Sequence, residues 1–436
     1  MNIYIDIEHK KRELHSKLLL GFESALKGNQ VYLGKVMPLL QKGVFKPGIV
    51  HLKSITPSER RFTQMQFLKK NGFVITSIDE EVGVIQENSK YVALRYGNKT
   101  FNLVDKIFTH GNFDYKNLIN KFPKNKGKII NSGNPRFDFW REDFKNFFKN
   151  VYYIKKKDYL LFSSNLNNIF TYQKLDQNIS IEKELGYFQR GNSKKSLQSG
   201  KKLSKEFLRK ILEFVNIVNK NFKEVKIIIR PHPTENPIEW KKFIGKKKNV
   251  FVIGEGDLSD WITYSKCVVH GGCTSGLEAV ARGKIALSIN SNKIRHGEKI
   301  PDMVSQKVQN KNQMIETINS ILNDEFKMNF LKHKKFIKNR IVNISSKPAY
   351  KKITETWQNI GNKSLSDKNF NLILKSNFFA KSFIKSLIGI TYKNHKFSKF
   401  SDYEIKEFKK RIIKINSKFN YIKFEILKDD LIRLHS

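Results

Sequence analysis

The chain has 436 residues, enough for two or three domains, and 39% of them are apolar, so a sizeable core can form. Its formal net charge of +42 favours an anionic partner: a nucleic acid, an anionic membrane surface or an anionic substrate. The excess is mostly lysine, spread over the whole length among Asn, Ile and Phe, so a bias of composition explains it equally well.

The cysteine content and the apolar runs limit the class of protein further. Cys267 and Cys273 share one short segment and match no zinc-binding spacing, which predicts reduced thiols and no metal site. The N-terminus has charged residues before any long apolar run, so we expect no signal peptide and a cytoplasmic location. No run in the sequence reaches the roughly 18 apolar residues of a membrane span.

The first part of the chain alternates predicted strands and helices. The apolar runs that indicate strands are 2–8, 30–35, 48–53, 73–79, 105–111 and 127–133. Helical spacing of apolar residues covers 11–29 and 58–72. This alternation with short loops predicts a parallel, doubly wound sheet in a first domain, 1–145.

A second series of the same kind predicts a second parallel sheet. The strands are expected at 159–165, 225–231, 249–255, 266–272 and 284–290. Helices are expected at 204–221, near 258–265 and from about Ser275. The stretch 141–158 has no clean period and is interpreted as the linker, so the second domain is 158–346.

The remaining residues, 347–436, form a basic C-terminal extension. Its segments 366–389 and 402–419 are amphipathic and predict helices. These helices either pack on the core or touch an anionic membrane surface.

A histidine between two prolines follows a predicted strand at "RPHP", residues 230–233. Proline fixes φ and pushes the preceding residue out of the helical region, so His232 is held in a rigid turn. Ligands of open parallel sheets bind beyond the carboxyl ends of the strands, which favours a ligand contact over a buried structural histidine. Arg230 either contacts the same ligand or packs against the sheet.

A glycine turn at "VVHGGCTSGLEA", residues 268–279, follows another predicted strand. Gly271 and Gly272 allow close approach of a ligand, and the N–H groups of a helix start bind phosphate. Thr274 and Ser275 add hydroxyl groups, and Glu278 lies where a carboxylate can hold ribose hydroxyls. An ordinary capped helix is the alternative for this segment.

Three adjacent carboxylates, Asp79, Glu80 and Glu81, end a strand of the first half. We expect clustered carboxylates to raise one another's pKa, so that one of them acts as a general base near pH 7. A solvated acidic turn is the alternative interpretation.

Two smaller features complete the candidate residues. "GNPRFD" places Arg136 and Asp138 after a strand, where an ion pair between them is as plausible as a substrate contact. Glu8 and Arg12 follow the first strand; we expect them at an acceptor cleft, with a plain helix-surface arginine as the alternative.

The layout resembles a GT-B glycosyltransferase, an α/β fold with two facing Rossmann-like domains, here with a helical basic C-terminal tail. More narrowly, it is similar to bacterial surface-carbohydrate (capsule or lipopolysaccharide) biosynthesis proteins related to the Kdo transferases and polysialyltransferases. The segments that carry the resemblance are 79–83, 133–138, 230–233 and 270–279. It covers roughly residues 1 to 345.

The resemblance implies transfer of a sugar, such as Kdo or a sialic-acid-like sugar, from a CMP-activated donor. His232 and Pro233 would contact the nucleotide phosphate together with Thr274 and Ser275. The turn at His270, Gly271 and Gly272 would lie beside them.

The base and the other requirements of the reaction also follow from the resemblance. Glu81 or Glu80 would be the base that deprotonates a saccharide or lipid-linked acceptor, although Val82 separates Glu81 from Gly83, where the family's acidic motif runs straight into glycine. No cofactor, metal or specific nucleic acid is expected, and a peripheral contact with the inner membrane fits the basic tail.

Three rival interpretations stay open. A UDP-sugar-dependent transferase or a UDP-GlcNAc 2-epimerase-like enzyme would share the architecture and the phosphate-binding turn. A polyanion-binding protein without catalysis would explain the charge of +42. A non-catalytic member of the family is the third.

Overall fold

The computed structural model describes residues 1–42, 45–80, 84–148, 159–166, 169–170, 175–184, 188, 194–290, 297–364 and 397–436. The chain forms two compact units, which differ from the three consecutive segments expected from sequence. Unit 1 comprises the described residues of 1–81, 92–139 and 341–436, and unit 2 those of 82–91 and 140–340. The C-terminal residues therefore belong to the first unit.

Eleven of the described strands match the predicted apolar runs closely, and three were not predicted. They are β1 Asn2–Asp6, β2 Gln30–Gly34, β3 Ile49–Leu52, β4 Val74–Ile78, β5 Lys106–Thr109, β6 Ile129–Asn131, β7 Tyr159–Ser163, β8 Lys226–Arg230, β9 Val250–Val252, β10 Cys267–His270, β11 Ile285–Ser288, β12 Gln306–Lys307, β13 Lys423–Lys428 and β14 Leu431–His435.

Helices connect most of the strands. They are α1 Lys10–Leu26, α2 Val36–Leu40, α3 Glu59–Lys70, α4 Lys90–Arg95, α5 Asn98–Leu103, α6 Asn112–Lys121, α7 Pro135–Asp138, α8 Leu175–Glu184, α9 Lys194–Asn221, α10 Pro237–Ile244, α11 Leu258–Tyr264, α12 Thr274–Ala281, α13 Lys299–Met303, α14 Lys311–Leu322, α15 Phe330–Arg340, α16 Ala349–Ser364 and α17 Asp402–Ile412. Short 3-10 helices lie at Pro123–Lys128, Glu142–Phe147, Val342–Ile344 and Ser417–Tyr421.

The described strands of unit 1 form one sheet in the order β13-β14-β2-β1-β3-β4-β5-β6. The strands from β1 to β6 are parallel, and their apolar side chains are buried on both faces, as helix-covered parallel sheets require. The strand order reverses between β1 and β3, so the switch point of the sheet lies where these two strands end.

The described strands of unit 2 form a parallel sheet in the order β12-β11-β10-β7-β8-β9. One face packs against α9, α10 and α14 through a core that includes Phe162, Phe214, Trp240 and Ile318. The order reverses between β7 and β10, so the switch point lies where these two strands end. The prediction of two Rossmann-like domains with parallel strands is confirmed for β1 to β6 and for β7 to β12.

The C-terminal part contains strands that the sequence patterns did not predict. β14 pairs antiparallel with β2, and β13 pairs antiparallel with β14. The basic segment 402–419 supplies α17, whose Phe408 packs edge-on against Phe22 of α1 at 5.4 Å between ring centroids. This helix therefore packs on the core, which was one of the two alternatives expected from sequence; the other was contact with a membrane surface.

The segment 366–389, the other amphipathic run of the C-terminal extension, lies outside the described residues. In the part of the chain that the structure describes, no helix is long and apolar enough to cross a membrane.

Candidate functional site

Three strands of unit 2 end side by side at its switch point. Ser163 of β7 is in register with Arg230 of β8 on one side and with His270 of β10 on the other. Since neighbouring strands lie about 4.8 Å apart, the Cα atoms of Arg230 and His270 are separated by about 10 Å. The predicted segments at 230–233 and 270–275 are therefore brought to one edge.

The turn after β8 holds His232 as predicted. The main-chain N–H of Glu235 donates to the carbonyl of His232 at 2.8 Å, which closes the turn. Nδ1 of His232 accepts from the Thr234 N–H at 3.3 Å and lies 2.8 Å from the Thr234 hydroxyl. Because Nδ1 accepts, we assign the proton of the neutral imidazole to Nε2.

Arg230 binds main-chain carbonyls of the loop after β9, and its contact with a ligand stays a prediction. Its guanidinium donates to the carbonyls of Ile253 and Gly256 at 2.8 and 2.7 Å, and also to the carbonyl of Glu255. Its guanidinium lies over the ring of Trp261, 5.7 Å from the centroid. These contacts fix the loop after β9.

Glu235 is a residue of this edge that sequence reasoning missed. Its carboxylate, only 2% exposed, accepts from the Ser164 hydroxyl at 3.0 Å and from Trp240 Nε1 at 2.6 Å. Burial raises its pKa to about 7, against the opposing effect of these two hydrogen bonds. Glu235 thus joins the end of β7 to the turn that carries His232.

His270 is completely buried and shapes the glycine turn. Its Nδ1 accepts from the N–H groups of Gly272 and Cys273 at 3.1 and 3.4 Å, and its Nε2 lies 2.8 Å from the Ser305 hydroxyl. Burial lowers its pKa to about 4, so the ring is neutral at pH 7. A Cβ at Gly276 would lie 2.3 Å from its Nε2, which explains the glycine there.

The two glycines of the turn are required for different reasons. Gly272 has φ of +69°, which L side chains rarely adopt. A Cβ at Gly271 would lie 2.0 Å from the ring of Phe207 in α9. The turn therefore keeps its shape only with glycine at both positions.

Two buried polar atoms, one in α12 and one just after β7, have no hydrogen-bond partner among the described residues. Ser275 is 3% exposed, and its hydroxyl has no hydrogen-bond partner among the described residues. Asn165, just after β7, donates from Nδ2 to the Gly271 carbonyl at 2.9 Å, while its buried Oδ1 has no partner in the described part of the chain. Buried polar atoms are costly to leave unpaired, so these two atoms indicate a ligand or ordered water.

Two residues of α12 that were predicted to contact the nucleotide, Thr274 and Glu278, differ in their surroundings. Thr274 is half-buried at the first position of the helix. Glu278 is 5% exposed and pairs with Arg282 at 2.8 Å. Its expected contact with a ribose stays a prediction.

In unit 1, Glu80 forms a buried ion pair and does not have the raised pKa expected of a general base. Its carboxylate pairs with the ammonium of Lys17, both side chains being 1% exposed, and accepts from Asn134 Nδ2 at 3.1 Å. Burial opposes ionisation, but Lys17 and these hydrogen bonds outweigh it and lower the pKa to about 2. The expectation that clustered carboxylates raise this pKa is therefore wrong for Glu80.

The other two carboxylates of that cluster differ from Glu80. Asp79 accepts from Arg95 Nε at 2.7 Å and is 3% exposed, which is not the solvated acidic turn of the alternative. Glu81 lies outside the described residues, and so do Val82 and Gly83.

Glu13 of α1 is a second carboxylate that the sequence did not reveal. It is completely buried and accepts from the N–H groups of Glu8 and His9, both at 3.1 Å. Burial and the nearby Glu80 raise its pKa to about 7. The helical pattern of this segment predicts only a position inside α1.

The residues expected at an acceptor cleft lie in unit 1. Glu8 pairs with Lys53 at the end of β3, and Arg12 lies 3.5 Å from Glu13. Arg136 is half-buried in α7. Asp138 accepts from the first N–H groups of α16, Ala349 and Tyr350, both at 2.9 Å.

In the described residues, no group of three or more His, Cys, Asp or Glu side chains is placed to hold a metal ion. Cys267 is buried and Cys273 is half-buried, and both are free thiols.

Comparisons with known proteins identify the fold. No protein-family model and no curated protein sequence matches the chain. Similar solved structures include Staphylococcus aureus MnaA in a co-structure with UDP, at 14% identity and a TM-score of 0.51, over 84% of this chain and 100% of that one. Another is UDP-GlcNAc 2-epimerase from Neisseria meningitidis bound to UDP-GlcNAc, at 14% identity and a TM-score of 0.50, over 82% and 100%. At these identities the likeness concerns the fold, a two-domain α/β architecture of the GT-B type.

Proposed function

We propose that the chain is an enzyme that acts on a nucleotide-activated sugar and holds the nucleotide phosphates in unit 2. The observation that carries this proposal is the placement of hydrogen-bond donors beyond the ends of β8 and β10, the two strands that flank β7 in register. These donors are Nε2 of His232, the unpartnered hydroxyl of Ser275 and the main-chain N–H groups that begin α12. Such donors stabilise the charge of a departing phosphate.

The first candidate reaction is glycosyl transfer from a CMP-activated sugar, such as Kdo or a sialic-acid-like sugar, to a surface polysaccharide or lipid-linked acceptor. An acceptor hydroxyl attacks the anomeric carbon while the bond from that carbon to the phosphate oxygen breaks. The phosphate leaves with the electron pair, and a base takes the hydroxyl proton. Peripheral contact with a membrane would give access to lipid-linked acceptors.

The base of this reaction is Glu81 rather than Glu80 in our proposal. A carboxylate whose pKa is lowered to about 2 by Lys17 is a weak base at neutral pH. Glu81 remains the other acidic candidate that the resemblance implies.

The second candidate is a UDP-sugar enzyme, either a transferase or a 2-epimerase. It is favoured by the likeness of the fold to proteins whose structures contain UDP or UDP-GlcNAc. An epimerase would act on the nucleotide sugar without an acceptor, so turnover of UDP-GlcNAc alone separates it from a transferase.

The test is calorimetric titration of the protein with CMP, CDP and UDP, alongside His232→Ala. We expect nucleotide binding to weaken at least tenfold in this variant, a loss of about 1.4 kcal/mol. His333→Ala, which removes a half-buried histidine from α15 of the same unit, is the matched control and should bind as the wild type.

The nucleotide that binds decides between the candidates. Preference for CMP favours a CMP-sugar transferase, and preference for UDP favours the second candidate. If none of the three binds, the proposal is wrong; steep salt dependence of RNA or DNA binding would then support the polyanion-binding alternative.

Cys273 provides an independent readout at the same site. It precedes α12 and is half-buried, whereas Cys267 is fully buried with its pKa raised to about 12 by burial. We expect N-ethylmaleimide to modify Cys273 alone, and the bound nucleotide to slow this modification. Modification at an unchanged rate would place the nucleotide elsewhere.

A further inference from the structure

Arginines gather at the carboxyl edge of the unit 1 sheet, where the proposed reaction gives them no role. Arg60 and Arg61 lie in the first turn of α3, which follows β3. Since the strand order reverses between β1 and β3, α3 begins at the switch point, the usual ligand position of an open α/β sheet. Arg95, at the end of α4, acts on Arg61 electrostatically.

Arg61 is half-buried, and one nitrogen of its guanidinium lacks a hydrogen-bond partner. Its Nη1 is buried and has no hydrogen-bond partner among the described residues. Burial lowers its pKa; Asp6 opposes this effect, while Arg60 and Arg95 add to it. Arg95 donates to the Asp79 carboxylate at 2.7 Å, so Asp79 is the partner of Arg95.

This placement is unfavourable for the unliganded protein. Basic residues in the first turn of a helix face the positive end of the helix dipole. The buried Nη1 atom of Arg61 also loses hydration that no hydrogen bond among the described residues replaces. Local unfavourable choices of this kind are typical of functional sites, where a ligand supplies the missing interaction.

We propose that Arg61 and the N-terminus of α3 bind an oxyanion group, a phosphate or a carboxylate. The guanidinium fork offers parallel N–H donors that match either group, and the first N–H groups of a helix add to them. The exposed Arg60 would draw the anion toward the site. That this anion belongs to the acceptor rests on the proposed function; the oxyanion site itself does not.

The experiment titrates the full-length protein with inorganic phosphate and with glucuronate by calorimetry, both without nucleotide and at a saturating concentration of whichever of CMP, CDP and UDP binds most tightly. The variants are Arg61→Met and, as the matched control, Lys70→Met, which removes an exposed charge from the other end of the same helix. We expect at least tenfold weaker anion binding in Arg61→Met and wild-type binding in Lys70→Met. Tighter binding of phosphate or of glucuronate then tells which oxyanion the site prefers.

Thermal stability separates a binding role from a structural one. We expect Arg61→Met to unfold at the same temperature as the wild type or a higher one, because it removes a half-buried charge whose Nη1 has no partner among the described residues. Anion binding that is unchanged in Arg61→Met, or absent from the wild type, overturns the proposal. So does a lower unfolding temperature of Arg61→Met relative to both Lys70→Met and the wild type.

Failure of the proposed function gives a different result. If CMP, CDP and UDP do not bind but phosphate binding still depends on Arg61, the oxyanion site stands and the nucleotide-sugar assignment falls.

Discussion

Glu13 and Glu80 show how the same side chain acquires opposite properties in one region. The carboxylate of Glu80 pairs with the Lys17 ammonium, and its pKa is lowered to about 2. Glu13 accepts mainly from main-chain N–H groups in a fully buried position, and its pKa is raised to about 7. The Lys17–Glu80 contact joins residues that lie 63 positions apart, so no local pattern could predict it.

Glu235 gives a pH-dependent contribution to stability. With its folded pKa raised to about 7 from 4.5, the folded state holds a proton that the unfolded state releases between these two values. This contribution therefore favours folding at low pH and is lost as the pH rises from about 4.5 through 7. We expect Glu235→Gln to abolish this part of the loss, which amounts to at most about 3 kcal/mol.

Thermal unfolding of wild type and Glu235→Gln between pH 5 and pH 8 measures the effect. The difference between the two proteins should shift in favour of the variant as the pH rises. Trp240→Phe is the companion variant: it removes the Nε1 donor and keeps the carboxylate, so it should be destabilised most at high pH. A difference that is independent of pH would contradict the assignment.

At the strand ends of unit 2, sequence patterns predicted the residues whose position is set by their immediate neighbours in the chain. The prolines around His232 and the glycines after His270 signal their turns directly. Glu235 and Asn165 were missed because their contacts depend on the neighbouring strands. The parallel pairing of β10, β7 and β8 creates those contacts, and it follows from topology.

At the scale of elements, apolar runs predicted the strands β1 to β11 well because buried parallel strands are continuously apolar. The hairpin of β13 and β14 was missed, since its edge strand β13 is mostly exposed and carries Lys and Glu. Asp429 and Asp430, between the two strands, are the turn signal that could have indicated it.

The contact of α17 with α1 predicts a large effect of a single truncation. Phe408 is 1% exposed and packs against Phe22, so Phe408→Ala should lower the free energy of unfolding by about 3–5 kcal/mol. Tyr403→Ala on the same helix, at 66% exposure, should change it by less than about 0.5 kcal/mol. Urea denaturation measures both, and equal effects would mean that α17 does not pack on the core in solution.

At the scale of the whole molecule, the chain is divided between two units that should respond differently to a nucleotide. Nucleotide at 100 times its Kd should stabilise unit 2 by about 2.7 kcal/mol. Hydrogen exchange should slow at the ends of β7, β8 and β10, while the hairpin of β13 and β14 keeps its rate. Slower exchange at the hairpin and unchanged exchange in unit 2 would contradict the assignment of the site.

The pairing of β14 with β2 has a consequence for synthesis on the ribosome. Residues 140–340 emerge in one continuous stretch and can complete their sheet while the chain is still being made. The first sheet begins to form earlier but keeps the β2 edge open until residues 431–435 have been translated. The unit that starts first therefore finishes last, and until then β2 is an unpaired edge strand of the kind that promotes aggregation.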